Sequence, residues 1–370
     1  MVENTGLPVR ILHVFGIMNC GGAETFIMNI YRNIDRNKIQ FDFIVHSQDK
    51  GYYDDEIKAL GGKKYVVPKF KGTNLLNYRK AWKDFFEAHS EYRVIHSHIR
   101  STASVFLNTA QKNGLKTIIH SHSTSSGGGL SGFVKDLLQL PLRYITDYRF
   151  ACSTDAGRWL FGKKDFSIIK NAIKVEDYIY NPEVRDIYRE VLGIKDRYVI
   201  GHIGRFYEPK NHFFIIDVFK SIHETDSNSV LLLVGDGNLR PEVENKIQEL
   251  GLQNQVIFTG IRKDIPELLQ AMDVFLFPSL YEGLGIVLIE AQAAGLPCVL
   301  SETLPSEVSI TELVKCISLK ETVEIWANQV LKYKDFNYRT DTSRLIKGNG
   351  YDVIEQAVFL GDFYLDSVTK

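Results

Sequence analysis

The chain has 370 residues, of which 44% are hydrophobic and 24% charged, and its formal net charge is −1. This length exceeds what a single core usually serves, so two domains are expected, and the composition excludes a disordered chain. The balanced charge gives no reason to expect a nucleic-acid partner.

The net charge conceals an asymmetry: residues 1–180 carry 25 Lys and Arg against 17 Asp and Glu, while the remainder carries 19 against 28. A basic half suits a domain turned toward an anionic bilayer or a phosphorylated substrate, although drift in solvated charge gives the same counts. No apolar run approaches the roughly 20 residues of a spanning helix, and the N-terminus lacks the order of a signal peptide. A cytoplasmic chain is expected. Cys20, Cys152, Cys298 and Cys316 form no C-x-x-C pair, so neither a disulfide framework nor a zinc site is indicated and buried thiols are expected.

In chain order, strands are expected at 10–15, 41–45, 65–67, 93–96, 116–120 and 149–152. Between the first two, Phe26, Ile27, Ile30, Tyr31 and Ile34 fall at helical spacing. Strand, helix, strand predicts a parallel sheet. After residue 172 the grammar restarts, with more continuously apolar runs at 198–204, 230–234, 256–259, 274–277 and 297–300, as strands covered on both faces require. The polar stretch 174–197 reads as a connector, and 351–365 as a helix. The fold class is therefore α/β, with two doubly wound Rossmann-like domains, residues 1–172 and 173–350, facing across a cleft. The helix 351–370 is expected to pack back on the first domain.

Three segments carry chemistry. Gly21-Gly22 precedes the first helix, where a helix N-terminus offers unpaired N–H groups to an anion, although plain turn chemistry accounts for it equally well. Arg205 and Lys210 leave the end of a strand where both can converge on a diphosphate, and Gly235 opens a tight turn after the next strand. Glu282-Gly283-Leu284-Gly285-Ile286 joins a strand to a helix that carries Glu290 in its interior, where a carboxylate needs partners such as vicinal hydroxyls.

Glu282 and Glu290, with seven residues between them, resemble the E-x7-E element of retaining family-four glycosyltransferases, which have the GT-B fold. Gly21-Gly22, Gly204-Arg205 to Lys210, Gly235-Asp236-Gly237 and Gly260 to Pro266 occur in that family's order. The likeness covers nearly the whole chain and is loosest in the first half, where 70–92 matches nothing in the family. It implies that Glu290 binds the donor ribose, that Arg205 and Lys210 clamp the diphosphate, and that Glu282 with the amides of Gly283 to Ile286 holds the transferred sugar. It places Ile261 beside the base and His122 close to the reacting sugar. Leu284 stands where the family usually has Phe.

The resemblance implies a retaining hexosyltransferase that takes a UDP-sugar donor and a glycan or lipid-linked acceptor, in capsule or exopolysaccharide synthesis, peripheral on the inner face of the membrane. The chain contains no Asp-x-Asp, which argues against a metal-bridged diphosphate, so no metal and no cofactor are expected. A non-hydrolysing UDP-sugar epimerase and a catalytically silent partner subunit are the alternatives. The candidates for membrane contact are Lys63, Lys64, Lys69, Lys71, Arg79, Lys80 and Lys83, beside Trp82 and Phe86, which suit a bilayer interface or a core equally.

Overall fold

The computed structural model describes residues 7–124, 129–282, 284–336 and 338–369, and the chain divides into two compact units. One runs to Ile173 and takes in the stretch from Asp352 onward; the other is Lys174–Tyr351.

The first unit is a parallel sheet of β1 (Val9–Phe15), β2 (Ile39–Val45), β3 (Lys64–Val66), β4 (Val94–Ser97), β5 (Lys116–Ser121), β6 (Tyr148–Ala151) and β7 (Ser167–Ile168), in the order β3-β2-β1-β4-β5-β6-β7. The alternation of a strand splits β1 between two cores: Ile11 and Phe15 on one face, Leu12 and Val14 on the other. Helices Gly22–Asn33 and Val353–Thr369 cover the first face, and Leu75–Ala88, Ala103–Lys112 and Thr154–Phe161 the second. The last helix belongs here because the Val353 amide donates to the Ile173 carbonyl at 2.9 Å. Val353, Ala357, Leu360 and Tyr364, on one helical stripe, then become buried.

The second unit is a parallel sheet of β8 (Tyr198–Ile203), β9 (Ser229–Val234), β10 (Val256–Gly260), β11 (Val274–Phe277), β12 (Cys298–Ser301) and β13 (Val314–Ile317), in the order β10-β9-β8-β11-β12-β13. In both sheets the strand order reverses beside the first strand, at β1/β4 and β8/β11. Loops leaving the carboxyl ends of strands diverge at such a switch point and leave room for a ligand.

Several expectations are corrected. The stretch 174–197 is no simple connector: it contains helix Pro182–Val191, capped by the Asn181 side chain, whose Arg185 and Arg189 pair with Asp273. Cys20 and Cys316 are exposed, and only Cys152 and Cys298 are buried. Trp82 and Phe86 are in the core of the first unit, so they are no interface anchors. Of the cations expected to meet a membrane, Lys80 and Lys83 pair with Asp84 and Glu87 one turn on and Lys64 with Asp54 at 2.5 Å, while Lys63, Lys69, Lys71 and Arg79 have no ion pair among the described residues. Among the described residues no helix is long and apolar enough to cross a membrane.

Candidate functional site

In the second unit Arg205, Lys210, Glu282 and Leu284 to Ile286 follow the two strands that flank the β8/β11 switch point, while Gly235 and Ile261 follow β9 and β10. The loop after β8 turns sharply at Gly204, with Arg205 exposed and Phe206 buried beneath it. Gly235 and Gly237 make this turn possible. Gly235 has φ +129° and a Cβ there would lie 2.2 Å from the Gly204 carbonyl oxygen; at Gly237 one would lie 2.4 Å from that of Phe206. The Phe206 amide donates to the Asp236 carbonyl at 3.0 Å, so the loops after β8 and β9 close on each other and present Arg205 outward. Among the described residues the Arg205 guanidinium has no ion-pair or hydrogen-bond partner, which leaves it available for a ligand.

The same loop continues into a short 3-10 turn, Glu208–Lys210, and ends at Asn211 in the left-handed region, φ 57°. Asn211 Nδ2 donates to the Pro278 carbonyl at 3.1 Å and the Leu280 amide to that of Pro209 at 2.8 Å. These bonds bind the loop after β8 to the loop after β11. Their consequence is an ion pair, Lys210 Nζ to Glu282 Oε1 at 2.6 Å, with each side chain 11% exposed. The contact is a close charge pairing without good hydrogen-bond alignment, since Oε1 has no hydrogen-bond partner. The ammonium also lies 4.4 Å from the centroid of the Phe277 ring. Burial, then Glu282 and Tyr281, push the Tyr207 hydroxyl up to about 12.

Gly283 lies outside the described residues. Leu284 is buried, and Gly285, at φ 72°, is the N-cap from which helix Ile286–Ala293 starts. Glu290 is buried inside this helix and accepts a hydrogen bond from the Tyr178 hydroxyl at 2.8 Å. Burial pushes its carboxyl up to about 7, against the opposing pull of that hydrogen bond. Ile261, just past β10, is 55% exposed and offers an apolar face. The sequence reading missed Tyr178, Asn211 and Phe277. Tyr178 stood in the stretch read as a connector, and the Asn181-Pro182 cap was the available signal of ordered structure there. His202 was missed too: its Nε2 is buried without a partner among the described residues, 3.0 Å from where a Gly204 Cβ would stand.

In the first unit Gly21 caps helix Gly22–Asn33, where a Cβ would strike the Glu24 carboxylate at 2.4 Å. Burial pushes the Glu24 carboxyl up to about 7. His122 sits beyond β5 in a column of five histidines. His13 pairs in register with His96 on the face carrying Ile11, and His98, His120 and His122 follow by the two-residue period. His13 Nδ1 is 3.1 Å from His98 Nε2, and His98 Nδ1 is 2.9 Å from His122 Nε2. His96 Nδ1 meets the Tyr364 hydroxyl at 2.7 Å. Burial holds all five below the ordinary histidine range, His13 and His122 at about 3, with Arg100 adding to the depression of His122. His98, His120 and His122 hold donor atoms within 4.8 Å of one another. Their rings stack, His120 on His122 with centroids 4.0 Å apart and planes 27° from parallel. The column is neutral aromatic packing with His122 at its open end.

The chain matches the family Glycosyltransferase Family 4 over residues 20–176 and Glycosyl transferases group 1 over residues 184–335. It is 37% identical to the putative glycosyltransferase EpsF of Bacillus subtilis, covering 87% of each chain. It is 22% identical over the full length of both chains to the Escherichia coli UDP-Gal:alpha-D-GlcNAc-diphosphoundecaprenol alpha-1,3-galactosyltransferase. Its fold is similar to that of Anabaena HepE, solved in complex with UDP-glucose, with a TM-score of 0.80 at 20% identity over 96% of this chain and 99% of the other. Two Rossmann-like units, this match along both halves and the Glu282/Glu290 spacing make the chain a member of glycosyltransferase family 4, with the GT-B fold.

Proposed function

We propose that this glycosyltransferase moves a hexosyl group from a UDP-sugar to a hydroxyl of a lipid-linked glycan in surface-polysaccharide synthesis, with retention and without a metal. The observation that carries the reading is the Lys210–Glu282 pair at the β8/β11 switch point, with Glu290 in the helix that follows. The names of the E. coli relative and of the HepE complex support a UDP-linked donor, and the former supports a lipid-linked acceptor.

On this reading Glu290, oriented by Tyr178, accepts the ribose hydroxyls, and Ile261 lies beside the base. Arg205 and Lys210 hold the diphosphate. As Lys210 turns to it, Glu282 becomes free to accept hydroxyls of the sugar, beside the amides of Leu284 to Ile286. Gly21 and Gly22, at their helix N-terminus, offer amides to the donor. The bond from the anomeric carbon to the diphosphate oxygen breaks as the acceptor oxygen bonds to the same face, and the acceptor proton passes to the departing phosphate oxygen. Catalysis is positioning and leaving-group stabilisation. His122, kept uncharged, serves as a neutral hydrogen-bonding partner for a sugar hydroxyl and not as a proton donor.

Incubation with radiolabelled nucleotide sugars, with and without lipid acceptor, tests the proposal: the label should enter the lipid with its anomeric configuration kept. A changed sugar without acceptor would point to an epimerase, and no turnover to a silent subunit. Transfer should survive EDTA. Activity lost to chelation and restored by magnesium or manganese would contradict the cation roles of Arg205 and Lys210.

Glu290→Ala should weaken UDP binding by about 2 kcal/mol, the scale of a charged hydrogen-bonded pair. Because the carboxyl of Glu290 sits near 7 and its ionised form is the better acceptor, UDP-sugar affinity should rise as pH rises toward 7 and level off above it. Calorimetry on Glu290→Ala and Glu290→Gln checks both points, and unchanged nucleotide affinity would remove Glu290 from the site.

A further inference from the structure

Three rings of the neutral histidine column are also joined nitrogen to nitrogen. His13 Nδ1 meets His98 Nε2 at 3.1 Å, and the other nitrogen of His98, Nδ1, meets His122 Nε2 at 2.9 Å. Burial keeps all three rings uncharged, so each carries a single N–H. Each contact needs one proton and one lone pair.

With one proton per ring, only two arrangements satisfy both contacts. In the first, His13 donates to His98 and His98 donates to His122, which leaves the third N–H on His122 Nδ1. In the second every donor is reversed, and the third N–H lies on His13 Nε2. Any mixture sets two protons or two lone pairs face to face.

The two ends of the chain are not equivalent. His13 is fully buried, its ring lies among those of Phe41, Phe43 and Tyr364, and its Nε2 has no partner among the described residues. An N–H confined there stays without an acceptor in every state of the enzyme, and orphaned buried N–H groups are rare. His122 is partly exposed at the open end, and its Nδ1 also has no partner among the described residues. Because His98 occupies Nε2, Nδ1 is the ring nitrogen left for a ligand.

We propose that His13 and His98 are positioning residues that fix the proton of His122 on Nδ1, so that His122 donates a hydrogen bond to a hydroxyl of the transferred sugar. The donors then run in one direction, from β1 through the residue that follows β4 to the residue that follows β5. The inference rests on the reading that sets His122 beside the sugar, and adds which atom acts and what orients it.

The test is the imidazole nitrogen–proton correlation spectrum of the full chain grown with isotope-labelled histidine, which separates rings protonated on Nδ1 from rings protonated on Nε2. Single-site variants assign the signals. His13, His98 and His122 should all carry their proton on Nδ1 without any ligand present. His98→Phe keeps a ring where His98 stacks on Phe15 with centroids 4.3 Å apart, but removes the donor, so His122 should show both forms. His13→Phe, one ring further from the open end, should shift His122 in the same sense. In His98→Phe, UDP affinity by calorimetry should be unchanged, while kcat/KM for the donor selected by the transfer assay should fall about tenfold, the scale of one neutral hydrogen bond. His98→Asn returns an N–H donor near the place of Nδ1 and should recover most of the loss. The spectra need no ligand, so the order of the protons is tested apart from the transfer reading. His122 protonated on Nε2 in the wild-type chain, a His122 proton that stays on Nδ1 in His98→Phe, or equal losses of kcat/KM in the two His98 variants would overturn the proposal.

Discussion

Replacing Lys210 with alanine is expected to lower kcat by about a hundredfold to a thousandfold, the scale of losing one preorganised group that faces developing charge, which is about 3–4 kcal/mol. The residue has two partners. In the free enzyme its ammonium neutralises Glu282 and rests on Phe277. In the proposed reaction it turns to the diphosphate, where negative charge grows as the bond to the sugar breaks. Removing it withdraws stabilisation mainly from the transition state and leaves the Glu282 carboxylate in a largely buried place without its counter-charge. Lys210→Arg keeps the charge but replaces a compact ammonium with a bulkier planar fork, and should recover only part of the rate. Steady-state kinetics on the two variants decides the matter: a change confined to KM, with kcat intact, would show that Lys210 contributes binding alone. Arg205→Ala should likewise lose turnover, with little effect on folding because its side chain is exposed.

The first unit should be acid-labile. Burial depresses the pKa of His13, His96, His98, His120 and His122 in the folded state, while an unfolded chain titrates them near the ordinary value of about 6.5. Above that value both states are neutral and stability is at its full level. As pH falls below it the unfolded chain takes up protons that the folded chain refuses, so stability falls, and it goes on falling toward the folded pKa values. Each histidine contributes about 1.4 kcal/mol per pH unit, so five acting together remove several kcal/mol within one unit, a large share of a typical 5–15 kcal/mol. The second unit carries two such residues, His202 held well below the ordinary range and His212 at about 4, and should lose stability less steeply. Hydrogen exchange of the β5 and β9 strands between pH 7 and pH 5 compares the units directly. The β5 amides should lose protection first, and His120→Phe should flatten their pH dependence; equal protection at both pH values would refute the account.

How much of this was legible before folding depends on the range of the interaction. The interior strands β1, β2, β8, β9 and β11 announced themselves as apolar runs, because a strand covered on both faces must be apolar along its length. Edge strands β7 and β13 went unread, since most of their residues are exposed and leave no such trace. The Glu282/Glu290 spacing, the Arg205 to Lys210 turn and the glycines at 235 and 285 were visible because they are local: a strand end, a tight turn and a helix start each impose residue types at fixed offsets.

Tertiary structure decided everything that depends on partners distant in the chain. Glu290 lies 112 residues from Tyr178, which orients it, and the Lys210–Glu282 pair exists because separate bonds from Asn211 and Leu280 tie two loops together. The two His-Ser-His tripeptides gave no sign of a single column until parallel pairing stacked β1, β4 and β5 in register. Helix Gly129–Gln139 makes the same point in reverse, since its Leu130, Phe133 and Leu137 recur at helical spacing yet are exposed. Periodicity establishes that a helix has an apolar side, but only its neighbours determine whether that side meets a core or the solvent, because the hydrophobic effect rewards burial without specifying against what.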